Sequence, residues 1–172
     1  TILAGEGDNL ILAGVGADTV TTGSGVDLVL GDSGQIDWTP TGEDSAFQTT
    51  DPALGANDVI LSGDGDNIVA GGFGADQITT GLGQDLILGD NGIFTVAPDA
   101  CGVAVLTEAR TADVANATGG DDAIVGGGGT AGDVIEATTP NRDPDRGTLL
   151  QRGTDADFIR MLARRNGFEA YV

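Results

Sequence analysis

The sequence predicts an all-β solenoid of short stacked repeats, and two observations carry that prediction. A nine-residue phrase with the core Gly-x-Gly-x-Asp-x-apolar-x recurs in register, and a longer block of four such lines occurs twice. The first block reads AGEGDNLIL from Ala4, AGVGADTVT from Ala13, TGSGVDLVL from Thr22 and GDSGQIDWT from Gly31. The second reads SGDGDNIVA from Ser62, GGFGADQIT from Gly71, TGLGQDLIL from Thr80 and GDNGIFTVA from Gly89. Asp18 to Asp76 and Asp27 to Asp85 both span 58 residues. A short period nested in a longer one marks a repeat architecture, whose units bury their apolar faces only by stacking on one another.

Each phrase divides into a turn and a strand. Glycines such as Gly14, Gly16, Gly23 and Gly25, with Gly72, Gly74, Gly81 and Gly83 in the second block, admit positive φ. The chain can therefore curl tightly and aim successive carbonyl oxygens at one spot. The aspartate that follows (Asp18, Asp27, Asp76, Asp85) adds a charged oxygen, completing an all-oxygen environment suited to calcium. Asn9 and Asn67 hold the same position and keep an oxygen without the charge, whereas Ile36 and Phe94 supply neither and read as caps to the row. Asp32 and Asp90 either donate from a different place or bond their own backbone as turn residues. The strand half carries an aliphatic residue two positions after each aspartate. Side chains alternate across a strand, so Val20, Val29, Ile78 and Ile87 are expected to point inward as a ladder.

On these residues the chain resembles the RTX (repeats-in-toxin) family, whose nonapeptide Gly-Gly-x-Gly-x-Asp-x-apolar-x is a standard repeat signature. The resemblance implies a parallel β-roll in which two nonapeptides make one coil and several calcium ions sit between every second repeat. Asp58 would then share an ion with Asp76, Asn67 with Asp85, and Asn9 with Asp27. A third, weaker copy starts at Gly119-Gly120-Asp121-Asp122-Ala123-Ile124-Val125 and slips out of register before Asp133-Val134-Ile135. The segments 35–57 and 93–118, with scattered apolar residues such as Trp38, Phe47, Val103 and Leu106, read as loops or hairpins leaving the solenoid.

A glycine-rich solenoid or low-complexity linker without metal is the competing reading, since 30 glycines and 4% aromatic residues favour disorder. The strict register opposes it. The charge favours cations: 27 acidic residues face 7 basic ones, for a net charge of −20, and through Asn141 the count is 22 to one. Such density resists the approach of adjacent turns unless cations neutralise it, so binding is expected to drive folding. It also disfavours nucleic acid and anionic membranes as partners. Cys101 stands alone and the chain has no His, which excludes an internal disulfide, zinc hydrolase motifs and Ser-His-Asp chemistry within these residues. No catalytic role is expected of them. No apolar run approaches the roughly 20 residues of a membrane span.

From Arg142 the composition changes, with six of the seven arginines and three of the 30 glycines in the last 31 residues. Thr154-x-x-Asp157 reads as a helix-capping box, Phe158, Ile159 and Leu162 as an apolar stripe, and Asn166-Gly167 as a helix stop. The expected organisation is therefore a repeat region over 1–139, with blocks 1–39, 58–97 and 119–137, and a short helical segment over 140–172. That segment reads in three ways. It caps the open end of the solenoid; it is similar, over 154–172, to a helix-strand segment of phage tail hub and type VI spike proteins; or its end, Glu169-Ala170-Tyr171-Val172, is similar to the export signal of type I secreted RTX proteins. The chain opens at Thr1-Ile2-Leu3, which matches a repeat strand, without Met or signal peptide, and so reads as part of a longer protein. The resemblance implies calcium-dependent folding of a secreted bacterial protein that uses type I export machinery. Two alternatives are a spacer of a giant surface adhesin and the non-catalytic C-terminal part of a secreted hydrolase.

Overall fold

The computed structural model describes residues 1–38, 44–98, 100–101, 104–112 and 119–127, with the backbone of Val134–Glu136. The chain divides into two compact units, Thr1–Thr139 and Pro140–Val172. The second unit, on which the expected helix falls, lies outside the described residues, and so do the glycines between 128 and 132.

Every regular element among the described residues is a strand. The repeat strands are two or three residues long because a glycine turn follows each one: β1 (Ile2–Leu3), β2 (Leu10–Leu12), β3 (Thr19–Thr21) and β4 (Leu28–Leu30) in the first block. Four longer strands, β5 (Gly34–Trp38), β6 (Asp44–Thr49), β11 (Gly92–Pro98) and β12 (Ala104–Thr111), belong to the intervening segments. The short pattern resumes in β7 (Val59–Leu61), β8 (Ile68–Ala70), β9 (Gln77–Thr79), β10 (Leu86–Leu88), β13 (Ala123–Val125) and β14 (Val134–Glu136).

Successive short strands alternate between two parallel sheets, ordered β1-β3-β7-β9-β13 and β14-β10-β8-β4-β2. The register places like residue on like: Val20 pairs with Ile60 and Ile60 with Ile78 in one sheet, Val29 with Val69 and Val69 with Ile87 in the other. These central residues form one aliphatic cluster shared by both sheets, with Val20, Val29, Ile60, Val69, Ile78 and Ile87 fully shielded. The expected inward ladder is thus present, and each member touches the residue above and below it in its own column. Ile60 lies mid-ladder between Val20 and Ile78. Ile60→Ala is expected to cost about 2–5 kcal/mol, because rigid ladder neighbours on both sides cannot collapse into the space left. Denaturant unfolding in calcium-containing buffer measures it.

The fourth line of each block departs from the repeat. Residues aligned there as the ends of nonapeptides form β5 and β11, which pair antiparallel with β6 and β12, while β6 pairs with β11. The two intervening segments therefore join in one four-stranded antiparallel sheet, ordered β12-β11-β6-β5. The physical reason is apolar matching. Phe47 and Phe94 are cross-strand partners whose rings stack at 5.2 Å, and they bury against Leu30, Ala70 and Leu88, the last residues of β4, β8 and β10. Ile36, opposite Phe47, joins the same cluster. Phe94 is a core residue of this antiparallel sheet and the half-buried Ile36 packs against it, so neither is a cap to the row.

Candidate metal centre

The glycine turns stack in two columns, one ahead of each parallel sheet. Gly14, Gly16, Gly72 and Gly74 adopt positive φ of 88°, 120°, 111° and 133°, as a tight curl requires. Gly23 and Gly81 do not, contrary to the reading of both from sequence. They are glycine for space, since a side chain would run into Glu6 at Gly23 and Asp64 at Gly81.

The aspartate position forms a continuous ladder in each column. In the first, the Asn9 N–H donates to Asp27 Oδ1, that of Asp27 to Asn67 Oδ1, and that of Asn67 to Asp85 Oδ1, each at 3.0 Å. In the second, the Asp18 N–H donates to Asp58 Oδ1 at 2.7 Å, and those of Asp58 and Asp76 donate at 2.8 Å to Asp76 Oδ1 and Asp122 Oδ1. The three pairs that the sequence expected to share an edge (Asp58 with Asp76, Asn67 with Asp85, Asn9 with Asp27) are therefore direct neighbours. Asp122, from the slipped third copy, extends the second column.

Both columns include residues far apart in the chain because two turns are split. Asp32 accepts bonds from the backbone N–H groups of Phe73, at 2.6 Å, and of Ala56, and a Cβ on Gly55 would strike its carboxylate. Asp90 Oδ1 accepts from the Gly120 N–H at 3.1 Å, and a Cβ on Gly119 would strike it likewise. The nonapeptide that starts at Gly31-Asp32 thus resumes at Gly55-Ala56-Asn57-Asp58. The one that starts at Gly89-Asp90 resumes at Gly119-Gly120-Asp121-Asp122, and the antiparallel hairpins are inserted between the halves. Asp32 and Asp90 tie each split turn together across its insertion instead of bonding only their own turn. An outer ladder, not singled out from sequence, runs alongside. Asp8, Asp64, Asp66 and Asn57 accept N–H bonds from Val26, Leu82, Gln84 and Ala75 of the next turn at 2.8–3.0 Å. Asp or Asn recurring in these turns was the available signal.

What remains over after these bonds defines the chemistry. The ladder uses one oxygen of each carboxylate; Oδ2 of Asp27, Asp58 and Asp76 and Oδ1 of Asp32 are buried without a hydrogen bond. A buried charged oxygen left unpaired costs several kcal/mol unless a proton or a cation meets it. Burial, reinforced by neighbouring carboxylates, raises the Asp58 and Asp76 pKa from the ordinary 3.8 to about 7 and that of Asp32 to about 6. Arg110, the one basic side chain among the described residues, is exposed and pairs with Glu108 at 3.1 Å. Among those residues no three acidic side chains converge as a preformed cage. The donors on offer are turn carbonyls with one or two carboxylates, an oxygen-only set that fits calcium.

The family model of the RTX calcium-binding nonapeptide repeat, four copies, matches residues 1–35, 53–93 and 110–130, and the gaps between these matches fall in the inserted antiparallel sheet. Comparison with curated proteins and with solved structures gives no match. The matched segments cover more than half of the chain, and the chain belongs to the family of RTX calcium-binding nonapeptide repeats.

Proposed function

We propose that this chain is a parallel β-roll whose folding is driven by several calcium ions held at the aspartate turns, within a secreted bacterial protein. The observation that carries this reading is the row of buried carboxylate oxygens at Asp27, Asp58 and Asp76 that the protein itself leaves unpaired. A bound divalent cation removes that cost, so the free energy of binding becomes free energy of folding. The net charge of −20 acts in the same direction. In cytoplasm poor in calcium such a chain stays unfolded and can be threaded through a type I exporter; outside, where calcium modules work at roughly 10⁻⁴–10⁻³ M, it folds. The repeats act by binding ions rather than by catalysis. A second reading, a spacer of a giant surface adhesin, is favoured by the 58-residue super-repeat.

The site assignment is tested by calcium titration of the wild type and of a variant carrying both Asp76→Ala and Asp85→Ala. These residues stand one in each column, so the double change is expected to lower both the number of bound ions and the steepness of the folding transition, with magnesium a poor substitute. An unchanged calcium response removes Asp76 and Asp85 from the site.

A further inference from the structure

Asn9 and Asn67 stand where Asp27, Asp58 and Asp76 stand in their turns, and the difference of one atom changes the local chemistry. Asn67 Oδ1 makes the same ladder bond as the aspartates, accepting the Asp27 N–H at 3.0 Å. This fixes the orientation of the carboxamide, so Nδ2 lies where an aspartate would place Oδ2. There Nδ2 donates to two carbonyls of its own turn, Gly63 O at 2.9 Å and Gly65 O at 3.0 Å. Asn9 repeats the pattern: its Nδ2 donates to Gly5 O at 3.1 Å, to Gly7 O at 2.7 Å and to Asp27 Oδ1 of the next turn at 2.8 Å. Nδ2 has two N–H donors and no accepting capacity, so it presents positive polarity to oxygens that otherwise converge on a cation. Asp27, Asp58 and Asp76, at the same position, end in an unpaired oxygen instead.

We propose that the carboxamide nitrogens of Asn9 and Asn67 take the place of calcium in the turns 5–9 and 63–67, so that these two turns close without an ion. The assignment rests on the calcium-driven reading above and refines it, since it says which turns are loaded. Both asparagines lie in the first column, where they alternate with Asp27 and Asp85. That column therefore carries ions at every second turn. The second column, with Asp18, Asp58, Asp76 and Asp122, carries no such plug. The alternation spares the first column part of the charge repulsion between successive turns.

The test is Asn67→Asp, with bound calcium counted by native mass spectrometry and the thermal midpoint followed against calcium concentration. The variant is expected to hold one ion more than the wild type, and its midpoint to rise more steeply with the logarithm of calcium concentration, because one further ion binds on folding. Asn9→Asp, in a partly exposed turn, is the second variant and carries the same expectation. Equal ion counts in wild type and in both variants overturn the proposal, as does failure of both variants to fold in saturating calcium. If the wild type itself holds no calcium, the underlying calcium reading falls instead.

Discussion

In calcium-free buffer at pH 7.5 the chain is expected to lose most of its strand signal in far-UV circular dichroism and to regain it cooperatively as calcium reaches the millimolar range. The core that opposes this loss is thin: central residues of three-residue strands, stacked in two columns, supply most of the aliphatic cluster. Against it stand the unpaired buried oxygens of Asp27, Asp58 and Asp76. Each costs about 1–3 kcal/mol or more when charged, so together they offset a large part of the roughly 5–15 kcal/mol that holds an ordinary domain folded. Adjacent turns carry carboxylates in register, so the cost is shared along the column and the transition is steep in calcium. Magnesium is expected to fail at equal concentration. It is smaller, demands near-octahedral geometry and gives up its water reluctantly, and a cradle of turn carbonyls meets none of these conditions. A full strand signal persisting in chelator would show that the aliphatic ladder alone suffices and would sink the proposal that calcium drives folding.

The turn-strand phrase was legible because its period is written in residues that have few other uses: glycines at tight curls, an aspartate, then an aliphatic residue at the shielded position. Val20, Val29, Ile78 and Ile87 are assignable to the interior for that reason, whereas the edge partners of Asp76 and Asp85 come from the family resemblance, in which two phrases make one coil. The split turns were not legible. After Asp32 and Asp90 the contiguous sequence offers Gly34 and Gly92, which prolong the apparent register, while the residues that complete the turns lie beyond whole hairpins at Gly55 and Gly119. Nothing local announces a pairing such as Phe47 with Phe94, which depends on two insertions meeting in space. In the sequence the asparagines are no more than aspartates without the charge, since only geometry shows that Nδ2 of Asn67 gains two acceptors there.

Acid is expected to do part of the work of calcium, and the two are expected to oppose each other. In the metal-free fold, burial raises the Asp58 and Asp76 pKa from 3.8 to about 7, and that of Asp32 to about 6. Between pH 4 and pH 7 the folded chain therefore holds more protons than the unfolded one, and its stability falls as pH rises through that window, by about 1.4 kcal/mol per pH unit for each extra proton held. Lowering pH toward 5 in calcium-free buffer should accordingly restore strand signal that is absent at pH 7.5. The calcium-loaded fold responds with the opposite sign, because the ion binds the deprotonated carboxylate and must displace the proton. Each aspartate with a pKa near 7 weakens apparent calcium affinity about tenfold at pH 6, and binding there releases protons into the buffer. Calcium titrations from pH 6 to 8, followed by circular dichroism and by calorimetry in buffers of different ionisation enthalpy, read both effects. A midpoint that does not move with pH would mean that Asp58 and Asp76 do not meet the ion. A protonated Asp58 or Asp76 presents an O–H where Asn67 presents an N–H, so Asn9 and Asn67 are permanent counterparts of the proton-bearing form of those two aspartates. Asn67→Asp should therefore bring the turn 63–67 under the control by pH and calcium expected of Asp58 and Asp76.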